Sequence, residues 1–104
     1  MLPLRDATRT SLRHSRNREA CLLAYLARGR LAPPDVARET GLRRGRVFAA
    51  LQGELPDYAS ERSLVGLGLV RPVVTRFGVE HELTDHGVAE AEAIAALRAA
   101  GRAV

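Results

Sequence analysis

PPDVARETGLRRGRVFAALQGEL, residues Pro33 to Leu55, reads as two short helices hinged at Thr40-Gly41-Leu42. Pro34 suits the first helical position, where a missing N–H leaves no intrahelical bond unmade, and Asp35 complements the positive end of the helix dipole. Gly41 can take the left-handed backbone that ends a helix without a Cβ clash, which would drop Leu42 into the core. Val36 and Ala37 would face inward with Leu42, Val47 and Leu51, the last two one turn apart. That arrangement turns Arg43, Arg44 and Arg46 outward on the first turn of the second helix, predicted over Arg43 to Leu55.

Three guanidinium groups there repel one another and the positive helix end, and a bound polyanion would relieve that repulsion. Arginine forks fit phosphate oxygens and the guanine edge in the major groove. A short helix, a glycine turn and a second helix with a cationic start is how a helix-turn-helix offers a reading helix to double-stranded DNA. The bland reading is a solvated basic helix end.

The rest of the chain reads as scaffold. At 104 residues with 46% hydrophobic side chains it fits one domain with a core of its own. Its four aromatics, Tyr25, Phe48, Tyr58 and Phe77, are too few for the stacking platforms of single-strand binders, which favours duplex. The formal charge of +4 is uneven, with Met1 to Arg46 carrying +7 and the remainder −3. A polyanion-facing half and a solvent- or partner-facing half fit that split. Every basic side chain is arginine.

Residues 1–17 are expected to form a basic arm or extra helix, with Arg13 and Arg16 along phosphates, or a disordered terminus. Residues 18–100 are expected to be the domain proper, and 101–104 a tail. Arg18 to Arg28 is predicted helical, with Leu22, Leu23, Leu26 and Ala27 inward and Gly29 as its stop. Cys21 and Tyr25 fall on the other side of that wheel, where they would meet a second subunit or stay half exposed. Nearby arginines would lower the Cys21 pKa, leaving a redox role open.

Arg30 to Ala32 is predicted extended, and Asp57 to Val65 a further short helix placing Leu64 and Val65 on the core. Leu69 to Thr75 and Val79 to Leu83 form a predicted hairpin around Arg76-Phe77-Gly78, with Pro72 marking an edge strand. Val79, His81 and Leu83 would share one face. Glu80 and Glu82 share the other, which must point away from DNA or pair with Arg71. Arg76 at the tip would reach a minor groove. Thr84 is the predicted cap of an alanine-rich helix running to Ala100. One of its stripes, Val88, Ala91 and Ala95, would cover the core; the other, Ile94 with Leu97, would pair with a second chain, giving a helix-mediated homodimer.

In this order of elements the chain resembles the winged helix-turn-helix regulators of the MarR and ArsR type and their small archaeal relatives. Asp35-Val36-Ala37-Arg38-Glu39-Thr40-Gly41-Leu42, Gly68-Leu69-Val70 and Glu82-Leu83-Thr84-Asp85-His86-Gly87 carry the likeness. The resemblance implies a mainly α fold with a small β-hairpin, and a dimeric transcription regulator on pseudo-palindromic duplex. Its reading helix would match Arg43 to Leu55 and its wing Thr75 to Val79. Two departures stand out: Gly53 to Leu67 is longer than the usual passage to the hairpin, and arginines occupy the usual hydroxyl cap before the reading helix.

No paired nucleophile and base, glycine-rich phosphate loop or carboxylate dyad occurs, so catalysis is not expected. Nor is a cofactor. His14, Cys21, His81, Asp85 and His86 lack the spacing of a tetrahedral metal set. One cysteine, no apolar leader and no long apolar run point to a reducing cytoplasm without membrane spanning. The same fold also serves as a protein-interaction module or a nonspecific chromatin-like coat, so both stand as alternatives.

Overall fold

The computed structural model describes residues 16–52 and 63–103, with side chains to Gly101. The elements are α1 (Arg16–Arg28), α2 (Pro33–Thr40), α3 (Arg44–Gln52), β1 (Val70–Thr75), β2 (Gly78–Leu83) and α4 (Asp85–Ala103). The described residues are thus mainly helical with one antiparallel hairpin. Arg13, most of the expected basic arm, and residues 57–62 of the expected fourth short helix lie outside the described residues.

The hinge folds as its sequence predicts. Gly41 has φ 76° and ψ 7°, and its N–H donates to the Ala37 carbonyl. Thr40 locks the turn, its hydroxyl donating to the Val36 carbonyl at 2.7 Å and accepting from the Leu42 N–H at 3.2 Å. Val36, Val47 and Leu51 are fully buried, and Leu42 packs against them. The carbonyls of Ala50 and Leu51 accept from Leu64 and Val65, so the segment after α3 returns onto the helix end.

α1 packs against α2, α3, α4 and β2. Because neighbours cover it on more than one side, Cys21 and Tyr25 are core residues, 0% and 1% exposed, while Ala27 is exposed. This corrects the expectation that Cys21 and Tyr25 face a second subunit. Ile94 is likewise corrected: it is buried with Ala91 on one stripe of α4, whereas Val88 and Leu97 are exposed. α4 also runs through Gly101 rather than stopping before it, and α1 begins at Arg16.

The hairpin pairs Val70 with Leu83 through Thr75 with Gly78. On its far side β2 bonds Leu31, His81 accepting from and donating to it at 3.0 and 2.8 Å. His81 thus spends both backbone groups on Leu31, so its partner Pro72 sits at a non-hydrogen-bonded position of the outer strand, where a missing N–H breaks no ladder bond. Thr84 caps α4, accepting from the Gly87 N–H at 3.0 Å and donating to the Gly68 carbonyl at 2.6 Å. A Cβ on Gly87 would overlap the Leu69 carbonyl, with the carbonyl carbon only 2.8 Å away. Glycine there sets how closely α4 approaches the strand.

Candidate nucleic-acid interface

α3 opens on arginines with no side-chain hydroxyl at its cap. Thr40 is bonded within the hinge, and Arg43 occupies the cap position, its carbonyl accepting from Arg46 and Val47 at 3.0 and 3.1 Å. The first turn of α3 holds no acid. Arg43, Arg44 and Arg46 are all exposed. No ion pair among the described residues holds Arg43 or Arg44.

Several other arginines pair with carboxylates. Arg28 bonds Glu39 at 3.0 Å, Arg38 bonds Asp35 at 2.9 Å and Arg98 bonds Glu19 at 2.9 Å. At the base of the hairpin Glu82 takes both Arg30, at 3.0 Å, and Arg71, through Nε at 2.7 Å and the second guanidinium nitrogen. Those bonds, that from Arg71 first, hold the Glu82 carboxyl below its usual range. The acidic strand face is thus partly silenced by Arg71, one of the two outcomes its sequence allowed.

α3 and the hairpin meet around a groove of about 400 Å³ walled by Pro33 and Pro34 of α2, Arg44 and Phe48 of α3, and Val79 and His81 of β2. The groove brings the start of α3 and the hairpin onto one concave side. A family model described as EarA-like matches residues 9–94, which take in every element around that groove. The chain belongs to the EarA-like family. No curated protein and no solved structure matches it.

In this EarA-like chain Arg76 is exposed at the hairpin turn and Arg16 opens α1. Of the residues expected to meet a second copy, Leu97 alone is exposed, at 45%. It lines a shallow cleft with Glu19, Ile94 and Arg98. Burial pushes the Cys21 thiol up to about 11, opposite to the direction expected from nearby arginines, so the thiolate needed for redox chemistry is scarce at neutral pH. Burial raises Tyr25 as well. His81 is buried with neither ring nitrogen bonded, which lowers its pKa and keeps the ring neutral. His86 stands exposed at the start of α4. Among the described residues no three His, Cys, Asp or Glu side chains gather as metal ligands, and no helix is long and apolar enough to cross a membrane.

The sequence reading missed two apolar side chains of this interface, Phe48, 45% exposed on α3, and Phe77, 91% exposed at the hairpin turn. Hydrophobicity alone places both inside. The usable signal was position: Phe77 lies in the two residues joining paired strands, where no core reaches.

Proposed function

We propose that this chain is a winged helix-turn-helix, with the Arg76-Phe77 hairpin as its wing, that binds double-stranded DNA sequence-specifically and regulates transcription in the manner of the MarR and ArsR regulators it resembles. α3 is the reading helix, Arg43, Arg44 and Arg46 contact phosphates and guanine edges in the major groove, and Arg76 enters the adjacent minor groove. Arg16, and Arg13 upstream of the described residues, add phosphate contacts. The observation that carries the reading is the start of α3 beside the hairpin, where Arg43 and Arg44 are exposed with no ion pair among the described residues, on a surface where several other arginines hold carboxylates. Catalysis is no part of this role, and the setting is the cytoplasm.

A helix-mediated homodimer fits a palindromic site, and its contact is reduced to Leu97 and the alanines beside it on α4. Replacing Arg43, Arg44 and Arg46 together by alanine should abolish binding to a duplex selected from a random pool and shorten its salt slope by about three. Undiminished binding would refute the reading helix. Affinity equal on unrelated duplexes would instead favour a nonspecific coat, since a regulator prefers its operator by about 10³ or more.

The apolar hairpin turn favours a second reading, a protein-interaction module. That reading predicts a partner lost on changing Phe77 and no duplex binding at all.

A further inference from the structure

The hairpin outruns the core. Val70, Pro72 and Val74 share a face with Leu83, His81 and Val79 across the register. Val70 and His81 are buried, but one step on Val74 is 82% exposed and Val79 46%. Beyond them lies Phe77, with Arg76 beside it. A benzyl side chain so exposed loses the favourable free energy of burial and does not help fold this domain.

The turn that carries it is nonetheless built. The Thr75 hydroxyl donates to the Gly78 carbonyl at 2.9 Å and accepts from the Phe77 N–H at 3.2 Å. One side chain therefore clamps the loop from within and fixes the direction in which Phe77 leaves it. Loop ordering is spent in advance, as a binding element requires.

We infer that Phe77 is a wedge that enters between two base steps of the minor groove, kinking the duplex, with Arg76 on the flanking backbone. The inference rests on the duplex-binding reading. Charge complementarity selects the occupant: Arg76 shares the turn, and Arg44 lies with Val79 on the wall of the adjoining groove, which no carboxylate of the described residues lines. A duplex offers an apolar slot between stacked bases flanked by anionic phosphates, and apolar side chains beside arginines are what unstack such steps. The collar of Val74 and Val79 then covers the sugar edges and limits the depth of entry. Bending in turn draws the flanking DNA towards the basic start of α3.

End-to-end energy transfer on a selected duplex of about 30 base pairs tests this, with 2-aminopurine placed at each central step in turn. With the full chain, a bend of about 20 to 90° and brightening of one 2-aminopurine step are expected. Phe77→Ser should straighten the duplex, quench that step and weaken binding about tenfold while leaving the salt slope and thermal midpoint unchanged. Phe77→Leu should retain most of the bend. Binding without a bend, or a bend undiminished in Phe77→Ser, overturns the wedge and leaves the duplex reading intact. Failure of the wild type to bind any selected duplex defeats the duplex reading itself. If Phe77→Ser instead changes the sedimenting mass of the free protein, the side chain joins copies of the chain and the wedge is refuted.

Discussion

Arg30 and Arg71 at the hairpin base and Arg28, Arg38 and Arg98 on the helices are bound to carboxylates, whereas Arg43 and Arg44 at the start of α3 are exposed without an ion pair among the described residues. The two groups share one chemistry and differ in what the fold places beside them. Exposed ion pairs add little stability, about 0 to 1 kcal/mol in general. Their consequence is to reduce field: Arg30 and Arg71 share the Glu82 carboxylate, which offsets one of their two charges. Charge left uncancelled at a helix N-terminus costs the isolated chain and is recovered only against an external anion.

The contrast breaks most easily at the arginines. Arg43→Ala with Arg44→Ala should weaken binding to the selected duplex by about thirtyfold or more, at roughly 1 to 3 kcal/mol for each lost contact. Arg28→Ala with Arg38→Ala, which removes the same formal charge, should change it by about twofold at most. Fluorescence anisotropy at fixed salt reads both. Equal losses would mean that net charge alone, not its placement, drives binding.

The next effect tests the frame that holds hairpin and helices together. Gly87→Ala forces a methyl group onto the Leu69 carbonyl and should cost about 3 kcal/mol or more in urea unfolding. Gly101→Ala, in the same helix with open space around it, should be neutral or stabilise by up to about 1 kcal/mol. At the hinge, Gly41→Ala meets no neighbour but must hold φ 76°, for a loss of about 1 to 2 kcal/mol.

The smallest effect is a pH dependence. His81 has a folded pKa below its ordinary 6.5 because burial disfavours the imidazolium. The unfolded chain therefore binds the proton more readily, and the corresponding stability is complete above 6.5 and lost as pH falls from there through the folded value. Glu82, also depressed, loses its share only below its ordinary 4.5. His81→Leu should remove the upper limb of the acid loss, seen in the urea midpoint across that window. Since both ring nitrogens are unbonded, the variant should be no less stable at neutral pH.

Much of this architecture was legible in the sequence. Gly41 needed no tertiary information, nor did the Thr84 cap or the edge position of Pro72, whose missing N–H bars it from a central strand, because each depends on backbone chemistry within a few residues. The sidedness of α1 did. Its leucines define one arc, but the helix is enclosed from several directions, so Cys21 and Tyr25 are swallowed too. In α4 alanine offers so little contrast that Ile94 was placed on the wrong stripe; the buried line runs through Gly87, Ala91 and Ile94. Among the interface residues the arginines were legible because charge prefers water. Phe48 was not, because its exposure depends on where the core ends; for Phe77 the signal lay in its place in the turn.

The most direct test is the salt dependence of binding to the selected duplex. A log–log slope of about −3 or steeper is expected for the wild type, at roughly 0.9 per neutralised phosphate, shared among Arg43, Arg44, Arg46 and Arg76. A slope near zero, or one that the alanine substitutions at α3 leave unchanged, would show that the cationic start of that helix does not meet DNA.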